Sequence, residues 1–435
     1  MGRQKSLWRL AAGLCMAALV AGCAEREPRL PGERQSIRPA DTADGETRSV
    51  GISLPSQRAN ASWTHVNGSP SHTITHPALS ASPQQVWSVD IGTGSSKRTR
   101  LITTPVVADG RIFVMDAAGQ ITAVSRNGQL LWTINATPAG EDPIAGFGGG
   151  FAYANGRLFA TTGFGQVLAI NPASGAVVWR QQLDAPVRSA PVAANGVVIA
   201  VSRDDVAHAL DQGDGRVEWI VPGAVGGAGL VGGSSPAVRG PLVVLPYSSG
   251  ELVAALTRNG LQVWNNEVSG ARRGLVRGLV GDISSDPVIN FDTVYAANQA
   301  GQLVSINRRS GRTNWAITEG AMGPVWPVGG SIFFISDEAE FIRASAATGD
   351  RIFTTRMTEY FDSRKRNRAV TYFGPVLAGG RFWIAASDGV LRGFSPANGA
   401  LNAQLPVPGG AATAPVVAGG LMFVVSADGQ LIAFQ

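Results

Sequence analysis

The chain has 435 residues, with 55 glycines and 15% charged residues, a composition of sheets joined by tight turns and not of long helices. Its 36 basic and 31 acidic residues give a formal charge of +5. Three of the bases lie in the first 22 positions, where there is no acid, and without them the balance is 33 against 31, which gives no support to nucleic-acid binding.

Arg3, Lys5 and Arg9 form a positive head, and Leu10 to Val20 form an apolar stretch too short to span a bilayer. Val20, Ala21 and Gly22 lead directly into Cys23. This is the pattern of a secretory signal, residues 1–22, ending in a bacterial lipobox. Cys23 is then expected to carry lipid on its sulfur as the mature N-terminus. Ala24 follows, not the aspartate that resembles an inner-membrane retention signal, so the expected location is the outer membrane. Acyl chains anchor by transfer of their methylenes into the bilayer and tether a protein without spanning it. The other cysteine, Cys15, leaves with the signal. The mature body would have no free thiol, which excludes disulfides, thiolate metal sites and cysteine nucleophiles.

Residues 23–60 are rich in Pro, Arg and Glu and poor in apolar groups, and read as a lipidated flexible tether ahead of a folded body at 61–435. The body opens with "ASWTHVNGSPSHTITHPAL", which holds His65, His72 and His76. His72 and His76 have metal-ligand spacing only on a helix. Gly68 and Pro70 argue against one, so the segment reads as a loop packed on the body.

From Trp87 onward the chain repeats one unit of roughly 40–50 residues. Each unit has a short apolar run opened by proline, a glycine turn, two further runs, and a final run carrying tryptophan. The prolines are Pro105, Pro191, Pro236, Pro287, Pro324, Pro375 and Pro415, with Phe151 in the slot of the second unit. The aromatic slot holds Trp132, Trp179, Trp219, Trp264 and Trp315, then Phe353, then Ala403. Short β-type runs between Asn-Gly, Asp-Gly and Ser-Gly turns predict antiparallel hairpins. Four strands per unit predict an all-β fold, an eight-bladed β-propeller of four-stranded antiparallel blades. The eighth unit stops after its third strand, and "QQVWSVDI" (84–91) supplies the missing one. The last blade would thus be closed by an N-terminal strand, leaving no free edge where the ends meet.

"LAINPASGAVVW" (168–179), "HALDQGDGRVEW" (208–219) and "VSINRRSGRTNW" (304–315) resemble the tryptophan-docking motif of quinoprotein-type propellers. With the lipobox and tether, the whole resembles the BamB family, lipoprotein subunits of the outer-membrane β-barrel assembly machinery. The resemblance implies a non-catalytic scaffold, lipid-anchored at the periplasmic face of the outer membrane. It would bind the periplasmic domains of the barrel-forming subunit, with unfolded outer-membrane proteins as further candidate clients. In that family, loops between blades make the contact through a basic and an acidic residue among apolar neighbours. The matching positions here are Arg188 in "DAPVRSAP" and Arg277, Leu279 and Asp282 in "RGLVGDISSDP".

The alternative is a periplasmic oxidoreductase using pyrroloquinoline quinone, because dehydrogenases share the fold. Those enzymes resemble one another in a vicinal disulfide, a calcium held by carboxylate and amide, and an aspartate base. The disulfide cannot form here, and Asp282 and Asp286 read as hydrogen-bonded turn residues. "GAGLVG" (227–232) leads into a strand, so it offers no helix N-terminus to a dinucleotide. No cofactor and no metal are assigned. Three basic clusters fall on loops between blades: Lys97, Arg98 and Arg100; Arg272, Arg273 and Arg277; Arg364, Lys365, Arg366 and Arg368. On one rim they would polarise a face toward an acidic partner.

Overall fold

Each repeat folds as its turn chemistry dictates, into a meander of four antiparallel strands. The computed structural model describes residues 50–146, 148–224, 226, 232–268, 270 and 281–435, and Cys23, Arg277 and Leu279 fall outside them. Eight four-stranded sheets form the blades of a propeller. Blade 1 spans 106–135, blade 2 149–182, blade 3 192–222 and blade 4 237–267. Blade 5 spans 288–317, blade 6 326–356 and blade 7 372–406. Blade 8 combines 416–434 with Gln85–Asp90, which pairs antiparallel with Gln430–Phe434. The N-terminal strand therefore closes the ring as its sequence predicts.

Tryptophan docking explains the repeat. On the third strand a small residue faces the indole, as in the pairs Ala123–Trp132, Ala169–Trp179, Ala209–Trp219 and Ala254–Trp264. The ring reaches sideways into the next blade. There its Nε1 donates to a carbonyl in the turn between third and fourth strands, as Trp132 to Pro172 (3.0 Å), Trp179 to Gln212 (3.1 Å) and Trp219 to Thr257 (2.8 Å). The glycine of that turn has positive φ and lies flat against the indole. A β-carbon on Gly215 would stand 2.6 Å from the ring of Trp179, and one on Gly175 2.8 Å from Trp132. Trp87 makes the same bond from blade 8 to the Arg126 carbonyl at 3.0 Å, so docking also crosses the closure. Between blades 6 and 7, Phe353 covers Gly399 instead, and Thr355 Oγ1 donates to the Gly399 carbonyl at 2.8 Å.

The first strand of each blade lines the axis and leaves one edge of its sheet unpaired. The segment ahead of the ring covers those edges. The backbone N–H groups of Val107, Tyr153, Val238 and Ile289 donate to the carbonyls of Trp63, Thr64, Pro70 and Ser71 at 2.6–2.9 Å. Those of Gly379 and Gly419 donate to Pro77 and Asn60 at 3.1 and 2.6 Å. The histidines act in the same way. His65 Nε2 accepts from Ala193 N, and His76 Nε2 accepts from Gly380 N. His72 Nδ1 lies 2.7 Å from the Pro287 carbonyl.

At blade 6 the buried Arg343 donates to the carbonyls of Val50 (2.6 Å) and Gly51 (3.2 Å). Residues 50–60, which composition assigns to the tether, thus lie against the ring. Their contacts combine backbone carbonyls, which any residue type supplies, with Ile52 and Leu54 packed on the core and Asn60 Nδ2 donating to the Val417 carbonyl at 2.7 Å.

Gly215→Ala should combine the penalty of a left-handed L-residue with a clash on Trp179, about 3 kcal/mol in urea unfolding. Gly110 has φ +71° and open space around it, so Gly110→Ala should lose only about 1 kcal/mol. Equal losses at the two sites would contradict the docking role.

Burial holds the His65 imidazole down to about 3, with neighbouring His72 acting in the same sense and the Ala193 carbonyl opposing. Burial also lowers His72, against Asp286 and the Pro287 carbonyl, and His208, against Asp204 and Asp184. A histidine lowered by folding binds fewer protons in the folded state. Its contribution is complete above about pH 6.5 and is lost as pH falls toward the folded value. Unfolding free energy should therefore drop by about 2 kcal/mol from His65 alone between about pH 7 and pH 5, and His65→Gln should flatten that slope. An unchanged slope in the variant would contradict the role of burial.

Candidate functional site

The loops that join one blade to the next all emerge on one face of the ring, opposite the turns that meet the N-terminal segment. Two of them are pinned at their stems. Val187 bridges to Ser202 and Ile283 to Asn298, each on its adjoining blade, and both apolar side chains are buried. These stems place Arg188 and Asp282 facing one another across the mouth of the central channel. Arg188 Nη1 lies 2.8 Å from Asp282 Oδ2, with side-chain exposures of 11% and 2%.

Gly233, between blades 3 and 4, packs close against the Arg188 side chain. A β-carbon on Gly233 would lie 3.0 Å from the guanidinium carbon of Arg188. Two of the four sequence-predicted partner residues are thus brought together, although 94 positions separate them. Sequence reasoning placed them on separate loops and missed their pairing, for which the chain carries no local signal.

Beneath the mouth lies a cavity of about 300 Å³ along the axis, floored by Val66 and Asn67 of the N-terminal segment. Asp286 forms part of its wall. Its Oδ2 accepts from Asn67 Nδ2 at 2.9 Å and its Oδ1 from Ser235 N at 2.7 Å. This carboxylate ties the floor to blades 4 and 5 through partners 219 and 51 positions away. Asp282 and Asp286, which the sequence reads as turn residues bonded locally, thus both reach across the fold, Asp282 to a distant loop.

The channel can be tested against the quinone cofactor used by dehydrogenases of this fold. A tricarboxylate quinone with its calcium needs several cations and free oxygen donors. Among the described residues lining the cavity, Arg188 is the only cation, and it is paired with Asp282. The amide and carboxylate present, Asn67 and Asp286, are bonded to each other. No group of three or more His, Cys, Asp or Glu that could hold a metal occurs among the described residues. This donor set does not fit the cofactor.

Of the three basic clusters, Lys97, Arg98 and Arg100 lie on the exposed loop between blades 8 and 1. Arg364, Lys365, Arg366 and Arg368 stand between blades 6 and 7. There the chain forms a short hairpin, Tyr360–Asp362 with Asn367–Ala369, where the sequence suggests only a loop. Arg272, Arg273 and Arg277 are outside the described residues, as is Leu279.

The family model described as "Outer membrane protein assembly factor BamB" matches residues 117–355 and 363–435, skipping the start of that hairpin. Curated relatives with the same description include the protein of Yersinia pestis, 24% identical over 331 residues, covering 75% of this chain and 82% of the relative. The protein of Escherichia coli K12 is 25% identical over 330 residues, covering 75% and 81%. Among solved structures, BamB from Moraxella catarrhalis superposes with a TM-score of 0.68 at 18% identity, covering 81% of this chain and 99% of that one. Quinohemoprotein alcohol dehydrogenase from Comamonas testosteroni superposes with a TM-score of 0.64 at 14% identity, covering 86% and 80%. At such identities these structures speak for the fold alone.

Proposed function

The chain belongs to the BamB family of outer membrane protein assembly factors, and on that premise we propose that it is a non-catalytic scaffold of outer-membrane protein assembly. It holds the periplasmic domains of the barrel-forming subunit against its loop face. Cys23 carries the lipid that tethers it to the periplasmic side of the outer membrane, and residues upstream of Val50 form the tether. Unfolded outer-membrane proteins are further clients of the same complex.

The observation that carries this reading is the Arg188–Asp282 pair at the channel mouth. A charge pair this buried is costly to build and adds little stability over apolar packing of the same volume. Its value lies in fixing two loops that are far apart in sequence into one surface. With Asp282 almost fully buried, its proposed role is positioning. It sets the stem of the loop on which Arg277 and Leu279 stand, while Arg188 borders the open mouth. A docked partner would further desolvate the pair, so cutting one member would leave the other charge uncompensated at a cost of roughly 2–5 kcal/mol to the complex.

Against the oxidoreductase reading stands the donor set of the channel, where the described residues offer neither the several cations nor the free carboxylate and amide oxygens that the quinone and its calcium require.

Asp282→Asn, Arg188→Met and the double variant should each reduce co-purification of the barrel-forming subunit from detergent-solubilised envelope. The expected loss is about tenfold or more. Because the two residues act as a unit, the double variant should lose no more than either single one. Melting temperature is measured alongside, and a drop of only a few degrees separates lost docking from lost folding. Full recovery of the partner with the folded double variant would refute the site.

A further inference from the structure

The hairpin between blades 6 and 7 joins no blade sheet, and its first strand falls in the stretch skipped by the family match. Its base is fixed. Tyr372 Oη donates to the Thr358 carbonyl at 2.8 Å, Val370 N donates to the Glu359 carbonyl at 2.9 Å, and both Val370 and Tyr372 are buried.

Asp362 shapes the tip. Its Oδ1 accepts from the backbone N–H of Arg364 at 3.0 Å and of Lys365 at 3.1 Å, and its carbonyl accepts from Arg366 N at 2.9 Å. That geometry gathers Arg364, Lys365, Arg366 and Arg368 within five positions, all exposed. Phe361, 43% exposed, sits among them, with the Arg368 guanidinium carbon 4.5 Å from its ring centre. Arg366 and Arg368 also have positive φ, +47° and +52°, a backbone conformation that destabilises a non-glycine residue. Closing the ring requires none of these features. Like charges are crowded, two arginines are strained, and an aromatic ring is left in water.

We propose that this hairpin is a contact for an anionic lipid surface, with the four cations on headgroup phosphates and Phe361 at the level of the interface. A bilayer presents a continuous sheet of phosphate that accepts closely spaced cations without a shaped pocket. It also gives an exposed ring an apolar layer to enter. A hydrated acidic protein surface would satisfy the cations but not Phe361. The hairpin stands on the same face as the channel mouth, so the contact would hold that face close to the membrane. The inference does not depend on which protein occupies the mouth.

The test uses the mature chain without signal or lipid, residues 24–435, so that neither the apolar signal nor an acyl anchor contributes, in co-sedimentation with vesicles. Binding is expected to mixed phosphatidylglycerol–phosphatidylcholine vesicles, to be lost at high salt, and to be absent with phosphatidylcholine alone. Arg366→Gly/Arg368→Gly removes two cations while accommodating the positive φ. Its melting temperature should hold or rise while partitioning falls by about tenfold or more, each cation near an anionic surface being worth roughly fivefold. Phe361→Ser should weaken binding without changing its salt dependence.

Free inorganic phosphate at matched concentration should not compete. Competition would indicate an isolated phosphate site and overturn the proposal, as would undiminished binding of the two-glycine variant. Absence of vesicle binding, with a salt-sensitive loss of the protein partner in that variant, would assign the cations to an acidic protein instead.

Discussion

The ring rests on one repeated contact, an indole lying flat on the turn glycine of the neighbouring blade while its N–H bonds a carbonyl of that turn. A blade is a twisted sheet with two faces to bury, and only another blade can cover them. Docking sets the angle and the height at which the next blade arrives, because the contact has both a stacking surface and a directional bond. Six tryptophans make the contact, Phe353 covers the turn glycine between blades 6 and 7, and Trp87 on the borrowed strand carries docking across the closure.

A closed ring still leaves the inner edges of its blades and an axial hole. The N-terminal segment deals with both, placing its carbonyls opposite the first strands of the blades and its loop at Val66 and Asn67 across the axis. The result is a channel sealed at one end and open at the other, where the loops between blades converge. Rigidity is the property this construction delivers. Among the described residues, the loop stems are pinned at Val187 and Ile283 and joined by Arg188 and Asp282, a preorganised base of the kind a scaffold needs.

The sequence made the blades legible because docking demands fixed spacing. Gly215 must precede Trp219 in its own blade by a constant interval while receiving Trp179 from the previous one, so the repeat is written at every turn. Where docking is replaced, at Phe353 and Ala403, the written pattern fades although the fold continues. Contacts made by backbone left no such trace. Val50 and Gly51 meet the ring through carbonyls, and the polar sequence around them reads as a solvated tether. The hairpin at 360–369 was hidden for a related reason: its strands are three residues each and its charges read as a loop. The ion pair could not be read at all, because only the ring brings blades 2–3 and 4–5 to a common mouth.

The central claim is that the loop face, and not the sealed face, receives the protein partner. Two exposed side chains distinguish the faces: Met322, 49% exposed on the rim of the mouth, and Phe291, 71% exposed in a turn on the sealed side. A photoreactive residue at each position, irradiated in intact cells, reports which side touches the barrel-forming subunit. Crosslinks from position 322 and none from position 291 are the predicted result. Crosslinks from position 291 alone would contradict it.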